Sequence, residues 1–304
     1  MGMSPRKAAS KFNLSRGKIN GNLATLFTIL FVFSFILILT INHAIMESVA
    51  GTRTLFGTDW WRHLRPGTLE LLAGRTPYTV PGVFNPPWLF VLLIPIAILP
   101  EKLGIVIMFV LFSVGTLLVA HRLGASWKTL LMFTLSPVIW RGAIIANIDW
   151  LVGVGFLLPP QIGLFFVLIK PQIGLAVALY WFVEAFRKGG WKEIVRVFSP
   201  VVAGFLLSFL VFGFWPLQAS AYPPEGMNVS TYPYGLLVGA GLLTFAIHKR
   251  SFPLAILASP FFSPYVGVTS LIFPFLALVT LPWEMLAVTI ALWIVLILQI
   301  AGLG

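Results

Sequence analysis

Hydrophobic residues in this chain come in long runs separated by short polar punctuation. The stretch from about Leu23 to Ile41 is almost wholly apolar, further runs begin at Trp88, Leu103, Phe198 and Gly235, the last reaching Ile247, and the remaining run after His248-Lys249-Arg250 is broken at Ser263-Pro264-Tyr265 and Pro282-Trp283-Glu284. Continuous apolar runs of this kind favour membrane helices over the ten-residue alternation of a membrane barrel. The pattern predicts an all-α polytopic membrane protein with about 9–11 transmembrane helices of ~20 residues each. Between Trp127 and Tyr180 the apolar pattern is interrupted by Arg141, Asn147, Asp149, Pro159-Pro160, Lys170 and Gln172. Helices there are expected to be kinked, short or partly re-entrant, because irregular backbone at membrane depth survives only against protein or a wet cavity.

The polar segments set the orientation. Residues 1–22 carry Arg6, Lys7, Lys11, Arg16 and Lys18 with no acid, a basic segment expected in the cytoplasm. Ser48-Val49-Ala50 resembles a signal cleavage site, but the apolar core before it exceeds the usual ~7–15 residues, so the reading is an uncleaved first span. Residues 23–304 then form a single transmembrane domain whose first external loop covers 43–87. Within that loop Thr68 to Ala73 reads as a short interfacial helix stopped by Gly74, and Trp88 as a headgroup-level anchor for the return into the membrane. Arg187, Lys188, Lys192 and Arg196 mark a cytoplasmic loop, residues 215–233 a second external one, and His248-Lys249-Arg250 a further cytoplasmic turn. The predicted location is the plasma (inner) membrane.

Composition narrows the classes. Of 304 residues 59% are hydrophobic and only 10% charged, with a mean hydropathy of +0.97, which excludes a water-soluble domain. The net charge of +11 sits in short clusters at the ends of apolar runs, where it orients helices, and no basic stripe tracks a nucleic acid. Without cysteine there are no disulfides or thiolate nucleophiles, and four scattered histidines leave little for a metal site. No cofactor is expected; a divalent cation stays open.

Candidate chemistry concentrates in residues 57–87. Asp59, one of two aspartates in the chain, lies near Arg62, His63, Arg65 and Arg75. A sheltered carboxylate can take a proton from an attacking hydroxyl, and three guanidinium groups suit a phosphate-bearing headgroup. The alternatives are a loop carboxylate paired with Arg62 or Arg65, and nonspecific contact with anionic lipid. Lys170 interrupts an apolar helix before Pro171-Gln172 and needs a counter-charge or a phosphate, with Asp149 as the ion-pair partner and Asn147 and Arg141 as neighbours of the same polar cluster. His63 reads as an interfacial or hydrogen-bonded side chain before a base. Asn228-Val229-Ser230 matches a glycosylation acceptor pattern.

The order of Asp59, Gly74-Arg75-Thr76-Pro77-Tyr78, Phe84-Asn85-Pro86-Pro87 and Leu99-Pro100 resembles the first external loop of the GT-C glycosyltransferases, and most nearly the polyprenyl-phosphate-mannose-dependent transferases of glycosyltransferase family 87. Leu168 to Gly174 resembles that family's Lys-Pro-Gln segment and Ser263-Pro264-Tyr265 its Ser-Pro-aromatic turn. The resemblance implies a GT-C-like fold and a membrane glycosyltransferase that moves a sugar, mannose foremost, from a polyprenyl-phosphate donor to a lipid or glycan acceptor, with inversion. It implies Asp59 as catalytic base and Lys170 near the donor phosphate, beside Arg62, Arg65 and Arg75. His63, Tyr78, Asn85, Asn147, Asp149, Gln172 and Tyr265 are the candidate pocket residues. Ala146-Asn147 stands where the family has Gly-Gln, a departure that touches donor specificity, and the chain is shorter than its members. Two other classes stay open: a transporter or flippase of a lipid-linked or anionic solute using Asp149 and Lys170, and a noncatalytic membrane subunit.

Overall fold

Polar interruptions in the apolar runs become helix breaks, and the breaks organise the molecule. The computed structural model describes residues 56–220 and 228–300. The basic segment 1–22, the first span at 23–41 and the beginning of the 43–87 loop lie outside the described residues. Among those described, every regular element is a helix and no named strand occurs.

A π-helical turn, Trp60–Leu64, runs directly into α1, Arg65–Leu72. Thr68 Oγ donates to the Leu64 carbonyl at 2.7 Å, and Gly74, at φ 73°, supplies the left-handed stop read from the sequence. A single 3-10 turn, Pro77–Thr79, follows, capped by Thr76. Then come α2, Pro87–Ala97, and α3, Glu101–Arg122. At 22 residues α3 rises ~33 Å, enough to cross a bilayer. Next are α4, Trp127–Leu135, α5, Pro137–Ile144, α6, Asp149–Gly155, and α7, Pro160–Val167. α5 and α6 meet at 110° across a four-residue break.

α8, Pro171–Phe212, is two helices joined at Gly189–Gly190, whose torsions are not helical. Phe182 faces Phe198 at 5.6 Å; these two residues are equidistant from Gly190, so the arms fold back as a hairpin. The turn is tighter than the loop expected over Arg187–Arg196. Glu193 lies three residues before Arg196 and pairs with it, so these charges sit on the second arm as a helical pair instead of in a loop. α9, Trp215–Ser220, α10, Gly235–Lys249, α11, Phe252–Ala258, α12, Ile272–Ala277, and α13, Pro282–Ile300, complete the chain. The breaks expected at Ser263 and Pro282 are present.

Among the described residues two helices, α3 and the two-armed α8, are long and apolar enough to cross a membrane, or three if the bent α5–α6 pair is one span, against the 9–11 spans expected. Shorter apolar helices of 10–17 residues make up much of the rest. Leu206, Leu207, Leu210 and Val211 on the second arm of α8, and Ile290, Ile294 and Ile297 on α13, are exposed. Ridges of this kind call for an apolar solvent, and the molecule is a helical membrane protein by that measure.

The 57–64 segment docks on the first turns of α3. Trp60 is fully buried over Gly104, where a Cβ would come within 2.6 Å of the indole nitrogen, and Gly57 packs on Ile105. Further along α3, Phe112 meets Gly142 and Trp150 lies over Gly115. The α5–α6 break therefore lies beside the stretch of α3 between Ile105 and Gly115, about 15 Å of helix rise.

Two glycines in open space separate backbone strain from packing. Gly190 has φ 59° and ψ −149°, a conformation essentially restricted to glycine, and Gly241 lies inside α10; a Cβ added at either would meet nothing within 4 Å. Gly190→Ala is expected to cost about 1–3 kcal/mol and Gly241→Ala to gain about 0.5–1 kcal/mol, read as opposite shifts in thermal unfolding of the detergent-solubilised protein.

Candidate functional site

Four segments distant in sequence meet at the helix breaks. Helix α5 ends with carbonyls that have no intrahelical partner. The backbone N–H groups of Gly57 and Asp59 fill them, donating to Ile144 O at 2.8 Å and Ile145 O at 2.9 Å. Gly57 is at φ 66°, where its lack of a Cβ permits both the turn and the close approach to Ile105. Asp59 is thereby fixed beside the break.

The break itself turns on Ala146, a non-glycine residue in the left-handed region at φ 58°. The Asn147 backbone N–H still reaches back to Gly142 O at 3.0 Å, and its side chain turns into the protein, buried. Asn147 Oδ1 accepts the Asp149 backbone N–H at 2.8 Å, capping α6. The same oxygen accepts Lys170 Nζ at 3.2 Å. On the other side Asn147 Nδ2 donates to Asp59 Oδ2 at 2.8 Å and to Thr269 Oγ at 3.3 Å. Both amide hydrogens and both lone pairs of one side chain are thus in use.

Lys170 comes from the junction between α7 and α8, where Pro171 at the first helical position lacks the N–H that would continue α7. Its ammonium forms an ion pair with Asp149 Oδ1, with 14% of the Lys170 side chain and none of Asp149's exposed. Ser270 Oγ approaches the other Asp149 oxygen at 3.5 Å. The expected Asp149–Lys170 pair therefore forms. Asp59, by contrast, takes its hydrogen bond from Asn147 and not from the neighbouring arginines.

Burial lifts the Asp59 carboxyl above the ordinary carboxylate range. Lys170 and His63 pull it back, Asp149 pushes it further up, and the Asn147 hydrogen bond favours the ionised form. A carboxyl held in this way is a proton acceptor of raised basicity next to a cation. Tyr265, half-buried, feels the charges of Lys170, Asp59 and Asp149, and burial raises its phenol. His63 Nδ1 lies 2.7 Å from Pro81 O, which as a carbonyl only accepts, so this ring nitrogen donates.

The remaining candidates are spread more widely. Arg62 is exposed. Arg65 is half-buried, donating to Leu99 O at 3.4 Å and lying 4.0 Å from Glu101. Arg75 is exposed and forks onto Glu70 at 2.5 and 2.9 Å. The guanidinium groups are therefore distributed from the π-helical turn before α1 to beyond the end of α1. Gln172 is half-buried in the first turn of α8, and Arg141 is exposed on α5.

Tyr78 is buried, stacked on Trp215 at 5.2 Å, and donates to Asn85 O at 3.0 Å. Asn85 Nδ2 donates to Ile169 O at 3.0 Å. Trp88, half-buried, donates from its indole to Phe165 O at 2.9 Å and packs edge-on against Phe165 and Phe205.

Thr269 and Ser270 were not among the sequence candidates. They lie in a 3-10 turn, Val268–Leu271, inside an apolar run. Hydroxyls in such runs commonly bond back to their own helix, as Ser113 and Thr116 do on α3, so their type carried no signal. Gly267, which precedes the 3-10 turn, and the Ser263-Pro264-Tyr265 break were the local hints of irregular backbone there. Among the described residues, no three histidine, aspartate or glutamate side chains converge as a metal-binding group. Comparison with family models, with curated proteins and with solved structures gives no match.

Removing one member of the buried pair leaves an uncompensated charge. Lys170→Met is expected to cost about 3–5 kcal/mol, and Asp149→Leu combined with Lys170→Met distinctly less than that, as measured by chemical or thermal unfolding in detergent. A double-variant loss equal to the sum of the Lys170→Met and Asp149→Leu losses would show that the pair is not coupled.

Proposed function

We propose that this chain is a membrane glycosyltransferase that moves a sugar, mannose foremost, from a polyprenyl-phosphate donor to a hydroxyl of a lipid or glycan acceptor at the non-cytoplasmic face. The observation that carries the reading is the junction of Asp59 with Lys170 through Asn147: a raised carboxyl and a buried cation bridged by one amide. Asp59 takes the proton from the acceptor hydroxyl, the hydroxyl oxygen forms its bond to the anomeric carbon, and the bond from that carbon to the phosphate oxygen breaks. The polyprenyl phosphate leaves with the electron pair, and the configuration inverts. Lys170, Arg62 and Arg65 are the cations assigned to the phosphate, while Arg75 can join only by leaving Glu70. The exposed aliphatic ridges fit a protein whose donor carries an isoprenoid tail.

A transporter of an anionic solute is the second reading. It is favoured by an ion pair set in broken helices beside the middle of α3. Purified protein in liposomes separates the two. Transfer of label from polyprenyl-phosphate sugars to membrane lipid extract is expected from the first, and uptake of label without covalent transfer from the second.

Asp59→Asn is expected to lower transfer by at least about 100-fold. The same variant is expected to be more thermostable than the unsubstituted protein near neutral pH. Because the folded state binds the Asp59 proton more tightly than the unfolded chain, this residue's contribution to stability is fully present below the ordinary carboxylate range. It is lost as pH rises through the raised folded value. The stability advantage of Asp59→Asn should therefore vanish in acid, and the acid limb of transfer activity should lie above the ordinary aspartate range. Undiminished transfer by Asp59→Asn would remove Asp59 from the reaction.

A further inference from the structure

The Phe84-Asn85-Pro86-Pro87-Trp88 segment reaches across to the α7–α8 junction with two side chains. A helix that stops inside apolar surroundings leaves its last carbonyls without partners, and each costs free energy if unmet. At the end of α7, Leu168 N–H donates to Leu164 O at 3.0 Å and Ile169 N–H to Phe166 O at 3.1 Å. At the start of α8, Ile173 and Gly174 N–H both donate to Lys170 O, at 3.0 and 3.1 Å. Phe165 O and Ile169 O receive side-chain donors: Trp88 Nε1 at 2.9 Å and Asn85 Nδ2 at 3.0 Å.

The two donors are three residues apart with only prolines between them. Pro86 is held at φ −58° and ψ 149°, and Pro87 is the first residue of α2. Ring closure fixes φ at both prolines, so the spacing and relative aim of Asn85 and Trp88 are set before they meet α7. The carrier is itself held on its far side, where Tyr78 donates to the Asn85 carbonyl and stacks on Trp215. Between the two clamped carbonyls and the start of α8 stands Lys170, non-helical at φ −129° and ψ 85°.

We propose that Asn85 and Trp88 are positioning residues for Lys170, capping the interrupted helix on either side of its last turn so that the ammonium is held against Asn147 and Asp149. The broken α7–α8 junction is then a fixed mount for a cation rather than a loose loop. What the cation is mounted for rests on the transferase reading; that it is mounted does not.

Lys170 acts on Asp59 through space, so the titration of Asp59 reports its position without any activity assay. The groups facing Asp59 are Lys170, His63, Asp149 and Asn147, with Tyr265 also in electrostatic range. The experiment measures thermal unfolding against pH for paired proteins with Asp59 or Asp59→Asn. Their difference gives the Asp59 midpoint, in the otherwise unsubstituted protein, in Asn85→Leu, in Trp88→Phe and in Gly190→Ala. Trp88→Phe keeps the aromatic packing and removes only the donor; Gly190→Ala destabilises far from the clamp.

Loosening Lys170 removes an influence that lowers the Asp59 midpoint, so the midpoint is expected to move to higher pH by about half a unit or more in Asn85→Leu and in Trp88→Phe. In Gly190→Ala it is expected to stay in place. Unfolding temperatures that fall in the two clamp variants with an unmoved Asp59 midpoint would overturn the proposal, and Trp88→Phe alone decides it if Asn85→Leu does not fold. Transfer in the clamp variants is expected to fall about 10–100-fold. If the unsubstituted protein transfers no sugar, the transferase reading fails while the midpoint shift still tests the clamp.

Discussion

Asn147 spends two amide hydrogens and two lone pairs on Asp59, Thr269, the first turn of α6 and Lys170, and no other side chain in the described residues joins so many segments. Deep in an apolar protein a primary amide left partly unsatisfied is costly, and one fully satisfied fixes each of its partners in direction as well as distance. That saturation is what lets two aspartates and a lysine share a small volume. Lys170 neutralises Asp149, the amide supports Asp59, and the remaining carboxyl is left with raised basicity instead of being silenced by a salt bridge.

The same constraint explains the architecture around it. Three broken ends are completed by segments from elsewhere in the chain. Gly57 and Asp59 backbone groups finish α5, Trp88 and Asn85 side chains finish α7, and Asn228 finishes the turn after α11. Asn228 Nδ2 donates to Pro264 O at 2.9 Å while its Oδ1 accepts the Ser230 and Val266 N–H groups. In this arrangement the residue that matched a glycosylation pattern is a strap, and a short bridge between Asn228 and Gly267 continues it toward Thr269. Broken helices supply backbone groups that continuous ones would consume internally, and the surrounding segments use those groups as attachment points.

Rigidity follows from this construction. Gly57 against Ile105, Trp60 over Gly104 and Phe112 against Gly142 are contacts that a single methyl group would disturb. The 57–64 segment is therefore seated on α3 and not draped over it. A carboxyl carried on a seated helical turn is held in one orientation, and the ion pair beside it is approached from a second, independent direction by the side chains of Asn85 and Trp88 at the end of α7.

Much of this was legible one residue type at a time. The apolar runs announced the helices because helical burial depends on local composition, and the prolines at 160, 171 and 282 marked breaks, at which new helices start, because a missing N–H acts where it stands. A lone lysine in an apolar run demanded a counter-charge, and Asp149, the aspartate among the same polar interruptions, supplies it. What no local rule contains is which partner a polar group takes when several lie within reach of a folded chain. Asp59 had arginines three and six residues away and took an amide 88 residues on, and that amide's other hydrogen went to a threonine 122 residues beyond it. Trp88 likewise took a carbonyl 77 residues away, on a helix that no local rule places beside it. Sequence by itself determined where the chain is apolar and where it breaks; tertiary structure alone decided which breaks face one another, because hydrogen-bond partners are chosen by proximity in space.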